Sequence, residues 1–247
     1  MPADARTILA TSGGLRDGVR TRWEFSPLTD FAVELAGVTG RAPRICFVAT
    51  AQGDNPVALH HLYEAAQLRG FAASHVSLVP MPNVDDVEAH LLAQDVVWVG
   101  GGSVAALLAL WRLHGVDHAM QAAWTAGVVL TGVSAGSICW HTGGTTDSFG
   151  PDLRPVTDGL ALVPYSNGVH YDSETQRRPL FQRLIAERAL DSGYATDDGV
   201  GVLYRGTEFV EAVAEADADA AGAYFVDADG QGGVTETRLD TRRLQSD

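Results

Sequence analysis

Cysteine is scarce in this sequence: 247 residues contain two, Cys46 and Cys139. Both lie in apolar runs, and neither has neighbours at metal-ligand spacing. A disulfide framework is therefore excluded, and two buried thiols in a reducing compartment are the expectation. Basic residues are also few. Seventeen Lys and Arg stand against 31 Asp and Glu, a formal charge of −14. That excludes a nucleic-acid partner, which would need clustered cations for its phosphates. Long apolar runs are missing too. None approaches the ~20 residues that span a bilayer, so no membrane partner is expected. Met1 to Arg6 lacks the apolar core of a secretory signal, and the expected location is cytoplasmic.

What is present fits one α/β domain over residues 1–247. Hydrophobic residues make up 46% of the chain, and 27 glycines cluster at turns. Thr7–Ala10 is a short apolar run stopped by Ser12-Gly13-Gly14. Arg44–Thr50 (RICFVAT), His75–Val79, Asp95–Val99 and Val128–Val133 read as buried strands. Helical patterns around Phe31–Leu35, over Pro56–Leu68 and Val84–Leu92, and after an N-capping Ser103 separate them. This alternation predicts a mainly parallel sheet flanked by helices. After Gly193 the pattern changes to short strands at Val200–Tyr204, Phe209–Ala214, Ala223–Val226 and Val234–Leu239. These predict a C-terminal antiparallel extension, with Glu215–Ala221 as a solvated turn.

The central motif is Gly132-Val133-Ser134-Ala135-Gly136, between a strand pattern and a helix pattern. In that context G-x-S-x-G reads as a nucleophile elbow. Small flanking residues let the chain bend sharply and push the Ser134 side chain outward. Backbone amides at the start of the new helix can hold a developing oxyanion. The competing reading is a tight turn with Ser134 as a simple helix cap. A second cluster, Gly100-Gly101-Gly102, also ends a strand and would face the same crevice at the carboxyl ends of the parallel strands. It lacks the lysine of a phosphate-binding loop.

A serine nucleophile needs a base. His60, His61, His75, His90, His114 and His118 read as surface or packing residues. His141 lies ~10 Å down the helix that Ser134 begins, too far to serve. His170 instead ends a predicted strand, Ser166–Val169, and opens the loop His170-Tyr171-Asp172-Ser173. That loop leads into a helix predicted to begin near Glu174. The acid that orients the imidazole stays open among Asp147, Asp172, Asp197 and Asp198.

The VGGGS segment, the GVSAGS turn, TTDS, the HYDSET loop and the DDG turn occur in an order that resembles the peptidase E family of serine dipeptidases. Cyanophycinase is a cousin, and the family fold is similar to the class I glutamine amidotransferase domain, with Ser in place of its Cys. The resemblance runs over roughly residues 95 to 200. It implies Ser134 as nucleophile, His170 as base, and Gly101 or Gly102 with the Ala135 amide as oxyanion hole. Asp198 stands where the family usually has a glutamate before a glycine, and Asp147 matches a second acidic position. Members that favour N-terminal aspartate have an arginine shortly after the histidine loop. Here Gln176 is the nearest match, followed by Arg177 and Arg178. Tyr171 and Arg177 are the candidate substrate contacts.

The expected function is hydrolysis of dipeptides or short peptides by a Ser-His-Asp mechanism, without cofactor or metal. Three alternatives remain beside it: a cyanophycinase-like β-aspartyl hydrolase, an α/β-hydrolase-type esterase, and a non-catalytic binding protein of the same fold. The esterase would place its histidine near the C-terminus, where none follows His170. Strand edges in the C-terminal part make a homodimer a further expectation.

Overall fold

The computed structural model describes residues 5–216, 218 and 220–245. Residues 1–4 of the N-terminal segment and two positions in the predicted 215–221 turn lie outside them. The first half alternates strands and helices. It runs β1 (Thr7–Thr11), a small hairpin of β2 (Leu15–Asp17) and β3 (Trp23–Phe25), α1 (Pro27–Glu34), β4 (Arg44–Val48), α2 (Pro56–Arg69) and β5 (Ala72–Val76). Next come α3 (Val87–Leu92), β6 (Val96–Val99), α4 (Val104–His114), α5 (Val116–Thr125), β7 (Val129–Val133) and α6 (Ala135–Ile138).

Local chemistry sets the helix ends. The Asn55 side chain accepts from the Val57 and Ala58 amides, Pro56 fits the first turn, and α2 stops at left-handed Gly70. Ser103 caps α4 as predicted, accepting from Ala106 N. The helix predicted from Val84 starts at Val87 because the Asp86 side chain caps it through Ala89 N.

Strands β5, β4, β6, β7 and β1 lie side by side and parallel. Helices cover both faces, so these strands are apolar nearly throughout. Along β6, Val97 and Val99 join one core cluster while Val96 and Trp98 join the other.

The second half holds β8 (Gly143–Thr146), β9 (Arg154–Val156), β10 (Ser166–Gly168), α7 (Arg177–Ala186), β11 (Gly193–Thr196) and β12 (Val200–Arg205). It ends with β13 (Glu208–Ala214), β14 (Ala223–Ala228), β15 (Val234–Leu239) and β16 (Thr241–Arg243). The antiparallel extension exists, but it divides between two sheets. β12 and β13 extend the main sheet beyond β1, with β16 outermost. β14 and β15 instead join a six-stranded sheet in the order β15-β14-β11-β10-β8-β9, whose inner strands β8, β10 and β11 are parallel. This second sheet turns Tyr194 into the main core and Ala195 into a smaller core under α7. Both thiols are free and buried, as expected. Among the described residues no helix is long and apolar enough to cross a membrane.

Candidate active site

Ser134 follows β7 directly and takes φ 56°, ψ −113°. A non-glycine residue there costs roughly 1–3 kcal/mol and persists only where its surroundings enforce it. The enforcement is visible. Ser134 N donates to Thr11 O at 3.2 Å, and Ser134 O accepts from Ser137 N and Ile138 N, both at 2.9 Å. A Cβ on Gly136 would run into the Val99 carbonyl, and one on Gly132 into that of Gly136. The glycines of the motif thus let the turn pack on the end of β6. The Ser134 side chain makes no capping bond to α6, which removes the reading of this serine as a helix cap.

The second glycine cluster lies against the first turn. A Cβ on Gly101 would stand 3.2 Å from Ser134 Cβ. Gly100 N is tied to Val48 O at 3.0 Å and Ser103 N to Ala51 O at 2.9 Å. Between these anchors the Gly101 and Gly102 amides have no intramolecular acceptor among the described residues, nor has Ala135 N. Free donors beside a strained serine are what an oxyanion requires.

His170 comes from the other sheet, at the carboxyl end of β10. It too is left-handed, at φ 51°. Its Nδ1 lies 2.5 Å from Asp198 Oδ1. Asp198 follows β11, the parallel neighbour of β10, so the two residues leave adjacent strands at the same end. The His170 hydrogen bond, against the opposing effect of burial, holds the Asp198 carboxyl below its usual range. An ionised Asp198 accepts, so Nδ1 is the donor of this pair and Nε2 is the ring nitrogen left for the serine. Asp172 Oδ1 accepts from Asp198 N at 2.9 Å and steadies the acid.

One corner joins the two halves. Thr11 O holds the Ser134 amide, and the next residue, Ser12, accepts the His170 amide on Oγ at 3.1 Å. Sequence reasoning took Ser12 only as a strand stop; no periodicity or spacing marks a hydroxyl that reaches across sheets.

The remaining candidates separate. Asp147 is exposed on the turn after β8 and makes no hydrogen bond with His170. It lines a cleft of about 450 Å3 with Gly150, Leu153, Glu174 and Gln176. Asp197 is buried; it accepts from Gly222 N at 2.9 Å and Tyr224 OH at 3.2 Å, and burial pushes its carboxyl up. The two predicted substrate contacts require correction. Arg177 is 2% exposed; its guanidinium donates to Glu174 Oε2 at 2.7 and 3.0 Å and to Thr145 O. Tyr171 is also 2% exposed, with its ring edge on Phe181 and its hydroxyl on Glu236 Oε2 at 2.8 Å. Both side chains are buried and already partnered: the helix predicted from Glu174 begins at Arg177 and turns that residue inward, and the Tyr171 ring packs under α7 on Phe181. His141 is fully buried between Ser137 O and Tyr204 OH, and desolvation lowers its pKa to about 4.

Among the described residues, His60, His61 and Glu64 on α2 form the one group with three metal-ligating atoms close together, all within 4.8 Å. His61 Nδ1 and Glu64 Oε2 are already paired at 2.9 Å.

Comparison with known proteins bears on the family and the fold. The profile of peptidase family S51 matches residues 8–212. The chain is 40% identical over 171 residues to an uncharacterized peptidase, YgaJ, of Bacillus subtilis (strain 168), covering 69% of this chain and 73% of that one. A peptidase from an acI-B1 Actinobacterium superposes with a TM-score of 0.67 at 14% identity, over 96% of this chain and 95% of that one. A candidate peptidase E from Listeria monocytogenes EGD-e gives a TM-score of 0.59 at 17% identity, over 83% and 97%. At these identities the two solved structures speak for the fold alone.

Proposed function

The chain belongs to peptidase family S51, and from that membership we propose that it hydrolyses dipeptides or short peptides with Ser134, His170 and Asp198 as its catalytic group. Ser134 Oγ attacks the peptide carbonyl while His170 Nε2 takes its proton. The carbonyl oxygen becomes an oxyanion and settles on the amides of Gly101 or Gly102 and Ala135. Each such donor is worth about 3 kcal/mol. As the tetrahedral species collapses, the C–N bond breaks and the imidazolium hands its proton to the leaving amine. Water then attacks the acyl-enzyme, again giving its proton to His170, and the acid product leaves with Ser134 restored. Asp198 keeps the imidazole in the required tautomer throughout.

The observation that carries this reading is the 2.5 Å contact between His170 Nδ1 and Asp198 Oδ1, on a loop anchored beside the strained serine. The cleft lined by Asp147, Glu174 and Gln176 lies on the segment that follows the His170 loop, and its lining includes neither Ser134 nor His170. Arg177, next to Gln176 in the chain, is buried and paired with Glu174, so it is not free to meet an acidic first residue of a substrate. The test is Ser134→Ala, assayed by chromatography on a panel of dipeptides varied at both positions. Turnover should fall by about 10^4-fold or more on whichever dipeptide the parent cleaves best. Unchanged turnover in that variant would remove Ser134 from the chemistry.

A further inference from the structure

We propose that Ser12 is a positioning residue for His170. It holds the imidazole in register with Ser134 through a hydroxyl that bridges the two sheets. The proposal rests on the catalytic reading given above and adds to it a residue outside the triad.

Ser12 is 3% exposed, directly after β1 and beside the residue whose carbonyl holds the Ser134 amide. Its backbone is locked to the turn that carries Asp198. Ser12 N donates to Val200 O at 2.8 Å, and Gly199 N donates to Ser12 O at 3.0 Å. Its hydroxyl meets three groups of the second sheet: Thr196 O at 3.1 Å, Thr196 Oγ1 at 2.7 Å and His170 N at 3.1 Å. A serine hydroxyl offers one donor and two acceptor lone pairs. One assignment uses all of them. Ser12 donates to Thr196 O and accepts from Thr196 Oγ1–H and from the His170 amide. The site is saturated, and each bond fixes a direction.

The His170 bond has a particular consequence. His170 is left-handed, a conformation that its neighbours must impose. Its amide has no other acceptor among the described residues. Without the Ser12 hydroxyl that amide would be unpaired, and the backbone could relax by turning. Such a turn would swing the imidazole away from both Asp198 and Ser134. Displacement of a base by about 1 Å can cost on the order of 10^2 in rate. Ser12 is buried and its hydroxyl is fully occupied by Thr196 and His170, so it offers no contact to substrate and KM should stay nearly constant.

The experiment compares Ser12→Ala with Ser134→Ala and with Ile8→Val, which opens a small core cavity in β1, the strand that leads to Ser12. Ser12→Ala should lower kcat by about 10- to 100-fold with KM within about twofold. The downfield proton resonance of the His170–Asp198 hydrogen bond should move upfield or broaden in that variant and stay in place in Ile8→Val. If folded Ser12→Ala keeps the parent's kcat and resonance while Ser134→Ala is inactive, this proposal fails alone. If Ser134→Ala remains active, the catalytic reading fails and takes this one with it. Should Ser12→Ala not fold, Thr196→Val decides. It is nearly isosteric and removes one of the three partners, so it should lower kcat in the same direction; an unchanged kcat and resonance would overturn the proposal.

Discussion

The two sheets build their shares of the site by different physics. In the eight-stranded sheet the nucleophile turn is imposed by backbone contact. Gly132 and Gly136 press on neighbouring carbonyls, Gly101 rests on Ser134, and no side chain is needed to hold the serine. In the six-stranded sheet the histidine and its acid are held by side-chain hydrogen bonds, from Ser12, Asp172 and Asp198. A packing constraint tolerates no added volume but ignores charge. A hydrogen-bond constraint tolerates shape changes but fails when a donor or acceptor is removed. The first half should therefore break in stability, and the second in activity.

The largest effect expected from this contrast is in the second sheet. Asp198→Asn keeps the shape but removes the charge that selects the imidazole tautomer. It should lower kcat by about 10^3-fold, near 4 kcal/mol of barrier, with a melting temperature at neutral pH only a little below that of the parent. The same variant tests the charge directly. Because the Asp198 carboxyl is held low in the folded state, its stabilisation is present above the ordinary carboxylate range. It is lost as pH falls through the folded value. Urea midpoints should then fall more steeply on acidification in the parent than in Asp198→Asn.

Next comes the main sheet. Gly136→Ala places a methyl group against the Val99 carbonyl, a backbone atom that cannot swing aside. A stability loss of roughly 3 kcal/mol in urea titration is expected, at the upper end of the ordinary cost of overpacking. A small loss there would mean that the turn is softer than its contacts imply. The smallest effect sharpens the choice between acids. Asp147→Asn alters the cleft wall and not the imidazole, so kcat should stay within about twofold on neutral dipeptides. A drop as large as that of Asp198→Asn would shift the orienting role to Asp147.

Much of the parallel sheet was legible because its signals are local. ICFV and VVWV are apolar on both faces, Ser103 opens its helix with a side-chain cap, and left-handed Gly70 closes its own. The second sheet was legible only in part. Ser166–Val169, Ala223–Val226 and Val234–Leu239 read as strands, but Gly143–Thr146 is too short and too rich in small residues to show a period, and nothing local says that β14 and β15 leave the main sheet to join it. Arg177 illustrates the same limit. Basic residues just after a histidine loop read as substrate contacts, but the start of α7 turned this one inward onto Glu174 and Thr145.

The order of residues alone marked the serine turn, since a strand pattern, two glycines and a helix pattern are contiguous in the chain, while the contacts that enforce its positive φ come from Thr11 and Val99 on neighbouring strands. It also determined that a histidine would end a strand at His170. Which carboxylate meets that histidine was decided only in three dimensions. Asp198 lies 28 residues away, and it arrives because β10 and β11 pair in parallel and release both residues at one end. Neighbouring Asp197 points the other way, into Gly222 and Tyr224. Alternation along an extended chain sends successive side chains to opposite faces, and only the packing of the sheet says which face is which.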